Sequence, residues 1–305
     1  MLHCEKTKVC GRENYMAKIL HGAPVIEEMN RDTKNRITEL ESKGVIPTLA
    51  IIRVGERAED IYYEKNAEKR CGELGAGHTK TVFASDASQE EVENAIIQYN
   101  EDDNIHGILL LRPLPKRFDD DRLRNLIDPI KDVDGCTDVS LSGVFAGEKR
   151  GFPPCTPPAA MRILNYYGYT PVTNGERASV IGRSLVIGRP VSMMLLKDDF
   201  TVSICHSKTA NVSDVTKDSA VLVVAVGKKH LVTEDFVNPN QVVIDVGVNW
   251  DEEKQGITGD VDFEKVEPIV KAITPVPGGV GTVTTSILVR HVVEAAERIL
   301  KSKSE

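Results

Sequence analysis

Long apolar runs are missing from this chain: nothing approaches the roughly 20 residues that a membrane-crossing helix requires. The opening stretch MLHCEKTKVCGRENY is polar and lacks the apolar centre of a signal peptide. A cytoplasmic location with no membrane partner is therefore expected. A basic excess is missing too. With 46 acids against 38 bases and a net charge of -8, no nucleic-acid or anionic-surface partner is expected. The six cysteines (4, 10, 71, 136, 155 and 205) form no CxxC pair and have no histidine at metal-ligand spacing. They read as reduced thiols, so neither a disulfide frame nor a metal site is expected. There is no 20–50-residue repeat, no low-complexity tract, and no GxGxxG fingerprint.

What remains is an ordinary globular composition, 41% apolar and 28% charged over 305 residues, a length suited to about two domains. Regular patterning starts near Met16, and residues 1–15 read as an extension of unknown role. Cys4 and Cys10 are either part of that leader or a small binding pair. Short aliphatic runs alternate with helical patterns, which predicts an α/β fold with parallel sheets. The strands are expected at TLAIIRV (48–54), GILLL (107–111), ASVIG (178–182), TVSIC (201–205), AVLVVAVG (220–227) and QVVIDVGV (241–248). Their unbroken hydrophobicity predicts cover on both faces. Helices are expected over 22–44, around Tyr63, over 88–100, and over 282–302. A domain boundary is expected in GEKRGFPPCTPPAAM (147–161), where glycine, proline and charge cluster.

ASVIGRSLVIGRPVSMMLL sets a strand, a glycine-bearing turn and a helix in succession, the arrangement that offers free backbone N–H groups to a pyrophosphate. By itself GRSxxxGRP is equally a plain tight turn. The loop HSKT (206–209) follows the next strand, and no acid stands there to hold a ribose 2′-hydroxyl. Ser207 and the planar fork of Arg183 instead suit a 2′-phosphate, favouring NADP while leaving NAD open. His206 reads as a loop residue without chemistry of its own. AVGKKH (225–230) and DVGVN (245–249) end strands in glycine turns that let backbone approach a flat ring. TPVPGGVGTVT (274–284) holds Pro275, Pro277, Gly278, Gly279 and Gly281, either a preformed lip over a ligand or a simple interdomain turn.

Taken together these pieces resemble the methylenetetrahydrofolate dehydrogenase/cyclohydrolase family of the FolD type. The likeness runs from Met16 onward and rests on GRSLVIGRP, CHSKT, VIDVGVN, GDVDF, TPVPGGVG, KDVDG, PCTP, and the RPLP that ends GILLLRPLP. It implies two α/β domains with a cleft between them. A folate-side catalytic domain would span 16–150, completed by the helix 282–302. A Rossmann-like doubly wound parallel sheet over 151–281 would carry NADP and form a homodimer. The resemblance places cofactor contacts at Gly182, Arg183, Ser184, Gly188, His206, Ser207, Val226, Gly227, Gly247 and Thr282. It places tetrahydrofolate contacts at Tyr63, Asp132, Asp134, Pro277, Gly278 and Gly279. In the family a tyrosine stacks on folate, a lysine four residues later moves protons, and a glutamine in the RPLP-type strand supports that lysine.

Here the tyrosine is Tyr63, but the lysine position is Ala67 and the glutamine position is Leu111. Ser140, Thr282 and Val283 also depart from the usual asparagine, proline and methionine. Lys65 and Lys69 sit two residues either side of Ala67, roughly 200° around the helix, and are expected to face elsewhere. Arg70 shares the face but is a poor base, and Arg112 is expected on the other face of its strand. The expected activity is therefore oxidation of methylenetetrahydrofolate with weak or absent cyclohydrolase. A fully bifunctional enzyme and a non-catalytic folate- or nucleotide-binding protein are the alternatives.

Overall fold

The computed structural model describes residues 16–170 and 175–303; the extension with Cys4 and Cys10 lies outside the described residues. From the N-terminus the elements are β1 (Lys18–Ile19), α1 (Gly22–Glu41), β2 (Thr48–Val54), α2 (Ala58–Leu74), β3 (Gly77–Phe83), α3 (Gln89–Glu101), β4 (Gly107–Leu110), α4 (Asp120–Asn125) and α5 (Asp138–Ala146). The first sheet runs β3-β2-β4, all parallel. TLAIIRV is its centre, with every residue after Thr48 buried, as a strand covered on both faces should be. β3 is an addition to the expected strands. GHTKTVF alternates exposed and half-buried residues, so it carries no continuous apolar signal. α2 stops at Gly75, whose φ of 92° is left-handed backbone that glycine adopts without cost.

The second half comprises α6 (Thr156–Tyr166), β5 (Arg177–Ile181), α7 (Gly188–Lys197), β6 (Thr201–Cys205), α8 (Val212–Lys217), β7 (Val221–Val224), β8 (Val242–Asp245), β9 (Asn249–Asp251), β10 (Gly256–Thr258), α9 (Phe263–Val266), β11 (Ala272–Ile273) and α10 (Val280–Ser302). Its sheet is parallel throughout, in the order β1-β11-β8-β7-β5-β6. Two expectations need correction. Lys18 and Ile19 pair with Ala272 and Ile273, so the start of the 16–150 segment belongs to the second sheet. TVSIC is not covered on both faces. It is an edge strand, with Thr201, Ser203 and Ile204 exposed.

α10 joins the halves. It packs on α1, α2 and α6, and its inward residues from Val283 to Ala296 form part of one apolar cluster reaching into both sheets. Among the described residues no helix is long and apolar enough to cross a membrane.

Candidate active site

A cleft of about 660 Å³ lies between the halves, lined on one side by α2 and on the other by loops at the carboxyl ends of β7 and β8. That is where open parallel sheets present ligand sites. Tyr62, Tyr63, Asn66, Lys69, Arg70 and Glu73 form the α2 wall. The floor and lip are Pro275, Pro277, Gly278, Gly279, Gly281 and Thr282. The lip is held from below. Gly22 N–H donates to the Gly278 carbonyl at 2.8 Å, and a side chain at Gly22 would collide with Thr282 and Gly279.

Tyr63 is half-buried, and burial, reinforced by Asp134 and then Cys155, pushes its phenol pKa up. Four residues on, Ala67 is fully buried. It sits with Cys71, Leu74, Ile37, Leu109 and Leu111 in the main apolar cluster, against which Tyr63 packs. The positions at issue thus form continuous hydrocarbon. Lys65 is exposed and does not line the cleft, but Lys69 does, correcting the expectation that it faces elsewhere. Arg112 is bound by Asp120, with Nε to Oδ1 at 2.7 Å, so its charge is already matched.

The KDVDG loop is anchored at both ends. Lys131 Nζ donates to the carbonyls of Tyr99, Asn100 and Asp102, closing the end of α3. The Val133 carbonyl accepts from His291 Nδ1 at 2.8 Å and from Cys155 Sγ at 3.4 Å, tying the loop to α10. Asp132 is fully buried and accepts from the amides of Cys136 and Thr137, which occupies it with the loop itself. Asp134 is the acid left beside Tyr63. Burial lifts its carboxyl to a pKa of about 7, against the pull of Cys155 and Arg112.

On the nucleotide side, Gly182 opens the turn after β5 with φ 131°, and Gly188 opens α7. A side chain at Gly188 would collide with the Gly182 carbonyl, so the turn admits backbone alone. Ser184 accepts from the amides of Ile187 (3.1 Å) and Gly188 (3.4 Å), serving the helix start. Arg183 and Ser207 are exposed on the neighbouring loops after β5 and β6 and lie outside the cleft. His206 Nδ1 accepts from the Lys208 amide, which shapes the loop.

One residue of this region escaped the sequence reading. GDVDF stood out as a motif, but not the work of Asp260. Its buried carboxylate accepts from the amides of Val226 (2.7 Å), Gly227 (2.9 Å) and Lys228 (2.7 Å) and from Asn249 Nδ2 (2.9 Å). Asp245 does the same for the next loop. It accepts from Gly247, Asp260 and Val261 amides, while burial holds its pKa near 7. Side chains at Gly247 and Gly259 would collide with these two acids. The two glycine turns facing the cleft are therefore fixed by carboxylates beneath them.

A glycine-cradled βα turn beside a second loop with Arg and Ser, over a parallel sheet, fits a dinucleotide. The aromatic wall across the cleft fits a second flat molecule. The molecule is thus a two-domain dinucleotide-dependent enzyme by architecture. Comparison with known proteins narrows this. Residues 20–134 match the tetrahydrofolate dehydrogenase/cyclohydrolase catalytic domain, and residues 154–300 match the NAD(P)-binding domain of the same family. The bifunctional protein FolD of Carboxydothermus hydrogenoformans is 48% identical over 92% of this chain and 98% of its own. The Campylobacter jejuni FolD methylenetetrahydrofolate dehydrogenase/cyclohydrolase structure superposes with a TM-score of 0.89 at 36% identity, covering 92% of this chain and 99% of that one. A Trypanosoma brucei FolD structure, complexed with NADP cofactor and inhibitor, gives 0.88 at 29% identity over 94% and 99%. This chain belongs to the tetrahydrofolate dehydrogenase/cyclohydrolase family.

Proposed function

We propose that the protein oxidises 5,10-methylenetetrahydrofolate to the methenyl form with NADP, and that its cyclohydrolase activity is weak or absent. The observation that carries this reading is the apolar packing of Ala67 and Leu111 beside a cleft that keeps Tyr63 and the proline–glycine lip. NADP supplies the hydride acceptor. The chain's own task in that step is placement: Tyr63 stacks on the folate, ionised Asp134 accepts from the pterin's N–H donors, and the Pro277–Gly279 lip holds the two flat rings in register. No proton need be moved, because the folate nitrogens stabilise the resulting cation. Ring opening is different. Water must lose a proton and a folate nitrogen must gain one, a task worth about 10²–10⁴-fold to a positioned acid–base group.

The full bifunctional reading keeps two supports: the similar FolD proteins of Carboxydothermus hydrogenoformans and Campylobacter jejuni are bifunctional, and the Asp134 carboxyl titrates near neutrality beside Tyr63. Against it, that acid is assigned to the pterin. Purified protein incubated with methenyltetrahydrofolate decides: hydrolysis at the spontaneous rate supports the single-activity reading, and hydrolysis well above it supports the bifunctional one. A steady rise at the absorbance of reduced cofactor with methylenetetrahydrofolate and NADP dismisses the non-catalytic alternative.

Arg183 and Ser207 support the choice of NADP. Arg183→Ala is expected to raise KM for NADP about 10–100-fold, the loss of one charge-assisted bidentate contact, and to leave KM for NAD nearly unchanged. Equal effects on both cofactors would place Arg183 elsewhere. The Asp134 carboxyl gives a pH dependence. Because its pKa is raised to about 7, the ionised form that binds the pterin is lost as pH falls through 7. The kcat/KM for folate should therefore drop on the acid side with a midpoint near 7, and Asp134→Asn should flatten that limb at reduced activity. A homodimer through the second domain is supported by the open edge at β6, where Ile204 is 39% exposed. The free thiols of Cys71, Cys136, Cys155 and Cys205 suit a reducing cytoplasm.

A further inference from the structure

A second cavity, of about 290 Å³ and sharing no lining residue with the cleft, opens where α5, α6, α7 and α10 meet. On α6 Pro158 and Arg162, and on α10 Ile287, Arg290 and Glu294, recur at steps of three and four, so each helix turns one face to it. Five bases line it against two acids, and they are unevenly paired. Glu294 holds Arg298 at 2.7 Å and Lys149 at 3.7 Å, Glu148 holds Arg150 at 2.7 Å, and Arg290 reaches Asp32 on α1 at 2.6 Å. Two cations are left without a carboxylate. Lys197 Nζ donates to the Gly147 carbonyl at 2.8 Å, and the Arg162 side chain has no hydrogen bond or ion pair among the described residues. Both residues are exposed to an arriving ligand. Burial first, then the charge of Arg290, holds the Arg162 pKa below the ordinary arginine value, with Glu28 and Asp32 pulling the other way. The guanidinium stays charged and is short of counter-charge. Pro158, Met193, Met194 and Ile287 make the same lining apolar, and the two thioethers adapt readily to a flat ring. His291 also lines this cavity, and its Nδ1 meets the Val133 carbonyl at 2.8 Å, one residue before Asp134.

We propose that this cavity is a second ligand site, for a small anion carrying an apolar ring, and that its occupancy tightens folate binding in the cleft. Arg162 and Lys197 take the charge, and the floor of Met193, Met194 and Ile287 takes the ring. A phosphate ester suits the site because two cations stand unmatched and the Arg162 fork binds phosphate bidentately. The volume is less than half that of the cleft and at the small end for ligand pockets, which suits one ring with its charged group and not a dinucleotide. Tightening follows from where the walls come from. The occupant touches α5 of the first half, α6 and α7 of the second, and α10 between them, in the arrangement that sets Asp134 beside Tyr63. A ligand favours the arrangement that holds it best. The binding site stands apart from the folate reading of the cleft, and the effect on folate rests on it.

The probe is phenyl phosphate, titrated calorimetrically into the full chain with NADP at saturation, so that the nucleotide's own phosphate site is filled. A dissociation constant of about 1 mM or tighter is expected, weakened about tenfold by Arg162→Gln and likewise by Lys197→Gln. Lys43→Gln makes the same charge change at an exposed position outside the cavity and should leave binding as it is. No binding to the wild type, or equal binding to all four proteins, overturns the site. Inorganic phosphate binding as tightly as phenyl phosphate overturns the role of the ring. In the activity arm, saturating phenyl phosphate should lower KM for methylenetetrahydrofolate about fivefold in the wild type, leave kcat unchanged, and do neither in Arg162→Gln. Binding without that change in KM overturns the effect on folate. A chain that oxidises no folate overturns the proposed function and this effect with it, while calorimetry still decides the site. Matched melting temperatures of the variants and the wild type show that a loss of binding is not a loss of fold.

Discussion

Replacing Ala67 with Lys and Leu111 with Gln together is expected to raise methenyltetrahydrofolate hydrolysis by about 10²–10⁴-fold, the range typical of a positioned acid–base group. Neither change alone should do so. Ala67 is fully exposed to hydrocarbon and none of it to water, so a lone lysine there would be an amine without a partner, costing several kcal/mol and held largely neutral. It would also crowd a packed core, where added methylenes cost about 1–3 kcal/mol. Leu111→Gln alone buries an amide in the same apolar cluster, with no group to support. Only the pair supplies both a titrating nitrogen and its hydrogen-bond partner, at nearly conserved volume on the Leu111 side. The measurement is loss of the methenyl absorbance, followed beside the melting temperature of each variant. A single substitution that restores full hydrolysis would show that the coupling between the two positions is absent.

Asp260→Ala should be the most damaging change outside the substrate contacts. It leaves the amides of Val226, Gly227 and Lys228 and the side chain of Asn249 without their acceptor. Unsatisfied buried donors cost about 1–3 kcal/mol each, and with partial rescue by water the total is about 3–5 kcal/mol. A drop in melting temperature of roughly 10 °C is expected for a protein this size. The same loss frees the Gly227 turn on the nucleotide side of the cleft, so KM for NADP should rise by about tenfold or more while KM for folate moves less. Asp260→Asn should fall between, since its amide oxygen still accepts but its NH₂ opposes an N–H. Unchanged melting and unchanged KM for NADP would mean that the loop is held by something other than this carboxylate.

The parts of the fold legible in sequence are those where burial is continuous. TLAIIRV coincides with β2 because a central parallel strand is apolar on both faces. β3 escaped because GHTKTVF, at the edge, shows its polar residues to water. β1 escaped because two residues carry no period at all, and they gain their place only by pairing with Ala272 and Ile273, over 250 positions away. The hairpin β9–β10 is nearly as short, three residues a side. At the site, Ala67 and Leu111 drew attention because each lies at a fixed offset within a local motif, and the loss of proton transfer read from them is the proposal that the hydrolysis assay tests. The role of Asp260 was not, because its partners lie 32–34 residues earlier and only the folded sheet brings them under it. Lys69 was misplaced for a related reason. Its angle on the helix was measured from Ala67, whereas the cleft is wide enough to take in the neighbouring face.

The central claim is that this cleft retains placement and has lost proton transfer. One preparation of the wild-type protein, assayed first for NADP reduction with methylenetetrahydrofolate and then for hydrolysis of methenyltetrahydrofolate, tests it most directly. The account predicts steady NADP reduction together with hydrolysis no faster than in buffer. Enzyme-dependent hydrolysis keeping pace with NADP reduction would contradict it.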